Sequence, residues 1–159
     1  MVVAVARARG DMDRAIADLG SRWAATRTTQ QLLAEVGALP GHHRNVFGTT
    51  VINHLIDAIV HHRDIALALG RGLNADPTAS AMAADSTWSL PKRFTIPVTR
   101  RLVGFRWSAI DTDWIRGDGP PIEGPMVAIL CALVGRAAAY EFLDGPGVSA
   151  ALAATNADA

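Results

Sequence analysis

Apolar residues recur at helical spacing over Val51–Gly70, VINHLIDAIVHHRDIALALG, the longest uninterrupted pattern in the chain. At about 100° per residue, Ile52, Leu55, Ile56, Ile59, Val60 and Leu67 share one sector, the stripe of a packed helix. His54, Asp57, His61 and Asp64 follow at steps of three, four and three and form a second stripe almost opposite the first. Gly70 sits where a C′ glycine stops a helix.

The same periodicity predicts shorter helices around this one. Met1–Arg9 reads as the end of a helix without its beginning. Asp11 caps a second helix to about Ala25, with Met12, Ile16, Leu19 and Trp23 as its apolar side. Thr28 or Thr29 caps a third, with Leu32, Leu33 and Val36 apolar, ending before Pro40-Gly41. Pro77 suits the first turn of a helix running to about Leu90, whose apolar side is Ala81, Met82 and Trp88. A short helix is expected around Val98–Val103. The pattern then changes: FRWSAIDTDW, Phe105–Trp114, has aromatic and β-branched residues without a helical period. The turn signal Arg116-Gly117-Asp118-Gly119-Pro120 comes next, so a small β-hairpin is expected. Met126–Val134, stopped by Gly135, is the last substantial helix. The chain reads as mainly all-α, a helical bundle carrying one small β element.

Length and composition narrow the class. The 159 residues make one domain able to bury a core without disulfides or a structural metal. Fifteen basic and fifteen acidic side chains balance, with the arginines dispersed, so no basic field argues for nucleic acid or an anionic membrane. Cys131 is the only cysteine, which fits a reducing, cytoplasmic setting. No apolar run reaches the length of a membrane span.

Within the central helix, Asp57 and His61 stand one turn apart, so a carboxylate and an imidazole can converge on one divalent ion. Asp64, a further turn on, can hold an imidazole or pair with an arginine. Two ligands do not complete a zinc site, and a solvated helix side is the plainer reading of this stripe. His54 lies two turns from His61 and caps or lines a cleft. His42 and His43, in a Pro/Gly loop, read as exposed bystanders. Arg63 falls inside the apolar stripe, so its stem packs while its charge reaches an edge or a carboxylate. Cys131 reads as a small core residue and not as a nucleophile. Asp111 and Asp113 alternate along a strand, which puts both on one face in a structural or turn-supporting role. Trp107 and Trp114 read as packing aromatics.

The run Asp57-Ala-Ile-Val-His61-His62-Arg63-Asp64-Ile65-Ala66, closing with Ala68-Leu69-Gly70, resembles the metal-site helix of the mycothiol-dependent maleylpyruvate isomerase family, within the DinB-like bundles. Ala109-Ile-Asp111-Thr-Asp113-Trp114, Gly117-Asp118-Gly119-Pro120, Gly124-Pro125, Leu133-Val134-Gly135-Arg136 and Leu143-Asp144-Gly145-Pro146-Gly147-Val148 resemble, in order, that family's C-terminal part. The resemblance implies a partial DinB-like bundle over 1–104 and a β-hairpin plus helix extension over 105–159. It places Asp57 and His61 at metal-ligand positions, with Asp64 as the aspartate that accompanies them and the stripe, His54 included, facing a cleft.

It further implies a divalent metal, zinc first, and mycothiol as thiol cosubstrate. The thiolate would add to an activated alkene or related electrophile, in an isomerase or thiol transferase. The family's remaining ligand is a histidine on an earlier helix. No histidine precedes His42, so the resemblance implies either a protein that starts upstream of Met1 or a shortened copy with an incomplete site. A truncated bundle would expose part of its core and invite a homodimer. The alternative expectation is a non-catalytic helical domain, a degenerate relative that acts in binding or assembly. The partners expected are a small-molecule thiol and an electrophile, with no nucleic acid and no membrane.

Overall fold

The computed structural model describes residues 12–39, 41, 50–72, 75–90 and 97–158. The expected helix over Met1–Arg9, the Asp11 cap and the helix-ending Pro91 lie outside the described residues. The chain forms two compact units, Met1–Arg44 and Asn45–Ala159. It is mainly helical with a small three-stranded sheet.

In the first unit, α1 spans Met12–Ala25 and α2 spans Thr29–Gly37. Thr28 starts α2 with a reciprocal capping box: Gln31 N donates to Thr28 Oγ1 at 3.3 Å and Thr28 N to Gln31 Oε1 at 2.8 Å. Glu35 ties the helices together, accepting from Trp23 Nε1 at 2.9 Å and Arg27 Nε at 2.7 Å. The Arg27 bond, then the Trp23 bond, holds the Glu35 carboxyl below its ordinary range. Of the expected apolar sides, Leu32 is half-buried and Leu19, Trp23, Leu33 and Val36 are exposed, with Trp23 under the Arg27 guanidinium; the side chains of Met12 and Ile16 lie outside those described.

The second unit holds the core. Helix α3, Val51–Ala68, buries Ile59, Val60, Arg63 and Ala66 and half-buries Leu55 and Ile56, as its apolar stripe requires. Its end is a Schellman motif. Gly70 has φ 62°, Gly70 N donates to Leu67 O at 3.0 Å, and Arg71 N to Ala66 O at 2.8 Å. Helix α4, Pro77–Ser89, is capped by Asp76 Oδ1, which accepts from Thr78 N and Ala79 N. Its buried side is Ser80, Ala83, Ala84 and Thr87, while Met82 is 57% exposed, contrary to the side expected. Small residues win this face because α4 packs closely against the fully buried helix α6, Met126–Leu133.

Helix α5, Pro97–Leu102, leads to β1, Arg106–Ala109, then β2, Ile115–Arg116, and β3, Pro121–Gly124. The sheet order is β2-β1-β3. Strands β1 and β2 make an antiparallel hairpin with Trp107 opposite Arg116, but its reversal lies at 110–114, not at the Gly117–Pro120 turn expected. That turn instead carries the chain across to β3, which pairs with β1 in parallel, Trp107 opposite Ile122. Asp111 and Asp113 therefore stand in the reversal and not along a strand. Asp111 Oδ1 accepts from Met126 N at 2.8 Å and so satisfies an orphan donor at the start of α6.

Trp107 is fully buried and donates from Nε1 to Leu102 O at 3.1 Å, fixing the sheet to α5. Trp114, also buried, meets Trp88 edge-on at 6.4 Å and donates to Asp85 Oδ1. After α6 come a 3-10 turn, Ala137–Phe142, and α7, Val148–Thr155, which packs on α5. The core runs without a break from Val98 and Leu102 through Trp107 and Ile122 to α6, so residues on both sides of 104/105 share it. No helix among the described residues is long and apolar enough to cross a membrane.

Candidate functional site

The polar stripe of α3 is exposed opposite its packed side: His54, Asp57 and His61 face outward and Asp64 is partly covered. Asp57 and His61 are neighbours one turn apart. His61 Nδ1 stands 3.5 Å from Asp64 Oδ2, within ion-pair reach. The same carboxylate is held by Arg136, whose Nε and Nη2 each reach Oδ2 at 3.2 Å. Of the two roles its position allowed, Asp64 takes the pairing with an arginine, and it stands beside the His61 imidazole without a hydrogen bond to it.

Arg136 is positioned by the end of α6, a second Schellman motif. Gly135 has φ 88°, its N donates to Ala132 O at 2.9 Å, and Arg136 N donates to Cys131 O at 2.9 Å. The spacing within α3 gave no sign of this partner. The sequence signal was the stop glycine followed directly by an arginine.

Chemically, a carboxylate oxygen and an imidazole nitrogen are suitable donors for zinc, and an Asp64 contact at Nδ1 leaves Nε2 for a ligand. The number is short. No group of three His, Cys, Asp or Glu side chains is placed to hold a metal among the described residues. His42 and His43 lie outside them. Asp57 and His61 are two donors, where a catalytic zinc site takes three from the protein.

Cys131 is fully buried, and burial pushes its thiol up to about 11. It is a core side chain held protonated, as expected. Arg63 departs from expectation: it is 4% exposed, and its charge meets the Phe142 ring, with Cζ 4.1 Å from the centroid, instead of a carboxylate.

No protein-family model matches the chain, nor does any curated protein or solved structure.

Proposed function

We propose that the protein is a relative of the mycothiol-dependent maleylpyruvate isomerases, a DinB-like bundle in which Asp57 and His61 are two ligands of a divalent ion, zinc first. The observation that supports this reading is the Arg136–Asp64–His61 chain. In it Arg136 holds Asp64, whose carboxylate stands 3.5 Å from His61 Nδ1 on the same exposed face that carries Asp57. Carboxylates that orient ligand histidines are a regular feature of metal sites. The remaining ligand comes from outside the described residues or from a second copy of the chain. A divalent ion at this place would lower the pKa of a small thiol such as mycothiol and ready it for an electrophile.

A second reading, a non-catalytic helical domain serving binding or assembly, is favoured by the missing third donor among the described residues. Metal content per chain after dialysis separates the two. The metal reading expects near-stoichiometric zinc in the purified protein and its loss in His61→Ala. Metal-free wild-type protein would leave the non-catalytic reading standing.

A further inference from the structure

Arg63 is buried inside the α3 stripe, and a guanidinium keeps its charge wherever it is placed. An unpaired buried charge is strongly unfavourable, so such a group is normally matched by a carboxylate. Here Nε is buried with no hydrogen-bond partner, and no ion pair forms to Arg63 among the described residues. Asp64, next in sequence, points about 100° further round the helix and is already held by Arg136.

What Arg63 does face is a cavity of about 250 Å³, lined also by Leu67, Arg71, Val127, Ala128 and Phe142. Arg71 is exposed and stands in the Schellman end of α3, which brings a second positive charge to the cavity mouth. The rest of the wall is apolar. The volume falls below the roughly 300–1,000 Å³ of drug-sized pockets, which suits a smaller molecule.

We propose that this cavity is a binding site for a small organic carboxylate. Its oxygens accept hydrogen bonds from Arg63, whose contact with Phe142 through Cζ leaves the N–H groups to donate. Arg71 adds attraction at the mouth. Leu67, Val127, Ala128 and Phe142 cover the apolar body. An inorganic anion would leave those walls bare and bury its full charge among them, so the ligand carries its charge at one end. This site is independent of the Asp57/His61 reading, whose groups lie on the opposite stripe of α3.

Benzoate and its neutral isostere benzamide are the probes, titrated into the full chain while amide shifts are followed by NMR. Benzoate is expected to bind at least about tenfold more tightly than benzamide, with shifts at Leu67, Val127 and Ala128. Arg63→Met keeps an apolar stem and removes the charge; it should lose about tenfold or more in benzoate affinity while benzamide binding is unchanged. Arg71→Gln, at an exposed position, should lose a smaller factor for benzoate only, and it decides the matter if Arg63→Met does not fold. Equal binding of the two probes overturns the proposal. So do shifts confined elsewhere, benzoate affinity unaltered in either arginine variant, or no benzoate binding up to its solubility limit.

Discussion

Helix α3 buries one side and shows histidines and aspartates on the other, whereas α6 buries all eight of its residues, yet both stop at a left-handed glycine followed by an arginine. The two arginines have different surroundings. Arg136 after α6 reaches Asp64 on α3, while Arg71 after α3 reaches no carboxylate among the described residues and borders a cavity. One backbone device therefore serves an apolar helix and a chemically equipped one alike. The glycine sets the stop, and the face lying opposite sets the role of the arginine beyond it.

The largest consequence of this difference should appear in the helix bodies. Ile129 on α6 is fully buried, and Ile129→Ala is expected to cost about 2–5 kcal/mol in urea unfolding. Ile65 on α3 is 59% exposed, and Ile65→Ala should change stability by no more than about 0.5 kcal/mol. Comparable losses at both sites would mean that something covers the outer side of α3 in solution, and the contrast between the helices would fall.

Next in size is a pH effect carried by Cys131. Its folded thiol is raised from the ordinary 9.0 to about 11, with burial as the main cause. The folded state keeps the proton while the unfolded chain gives it up, so the stabilising effect is complete below pH 9. It is lost as pH rises from 9 toward 11, by about 2–3 kcal/mol in all. Tyr140, also raised by burial, adds a loss of the same sign at high pH. Subtracting the profile of Cys131→Ala isolates the thiol, and an unchanged alkaline slope in that variant would show that α6 admits solvent. The native thiol should also react with a disulfide reagent only as fast as the protein opens.

These contrasts were unevenly visible in the sequence. The body and end of α3 were legible because period, stripe and stop glycine are local: Ile59 and Val60 pack, and Gly70 closes the helix as its position implied. The buried face of α4 was not, because Ser80, Ala83, Ala84 and Thr87 are chosen by close approach to α6, and their hydrophobicity gives little sign of it. In the sheet, Gly117-Asp118-Gly119 was rightly a turn but wrongly the hairpin reversal. The parallel pairing of Trp107 with Ile122 is a non-local event that no short pattern encodes. The placing of Asp57, His61 and Asp64 on one face came from spacing alone. Arg136 is 72 residues from Asp64, and only the fold brings the two together.

The smallest effect tests the shared device itself. Gly70→Ala and Gly135→Ala each force a Cβ into left-handed backbone, at about 1–2 kcal/mol. Sterics do not distinguish them much: a Cβ at Gly70 would meet nothing within 4 Å, and one at Gly135 would meet Val98 Cγ1 at 3.4 Å, an ordinary contact. If backbone strain were the whole effect, the two losses would be equal. Gly135 also aims Arg136, however, and a shifted Arg136 weakens a partly exposed ion pair to Asp64 worth less than about 1 kcal/mol. Gly135→Ala should therefore cost more than Gly70→Ala by a fraction of a kcal/mol, measured by urea unfolding. That excess should disappear when both glycine changes are repeated in an Arg136→Gln background, as a double-mutant cycle would report. An excess that survives the loss of Arg136 would instead trace to the packing of Val98, and the glycine after α6 would then have no part in holding Asp64 behind His61.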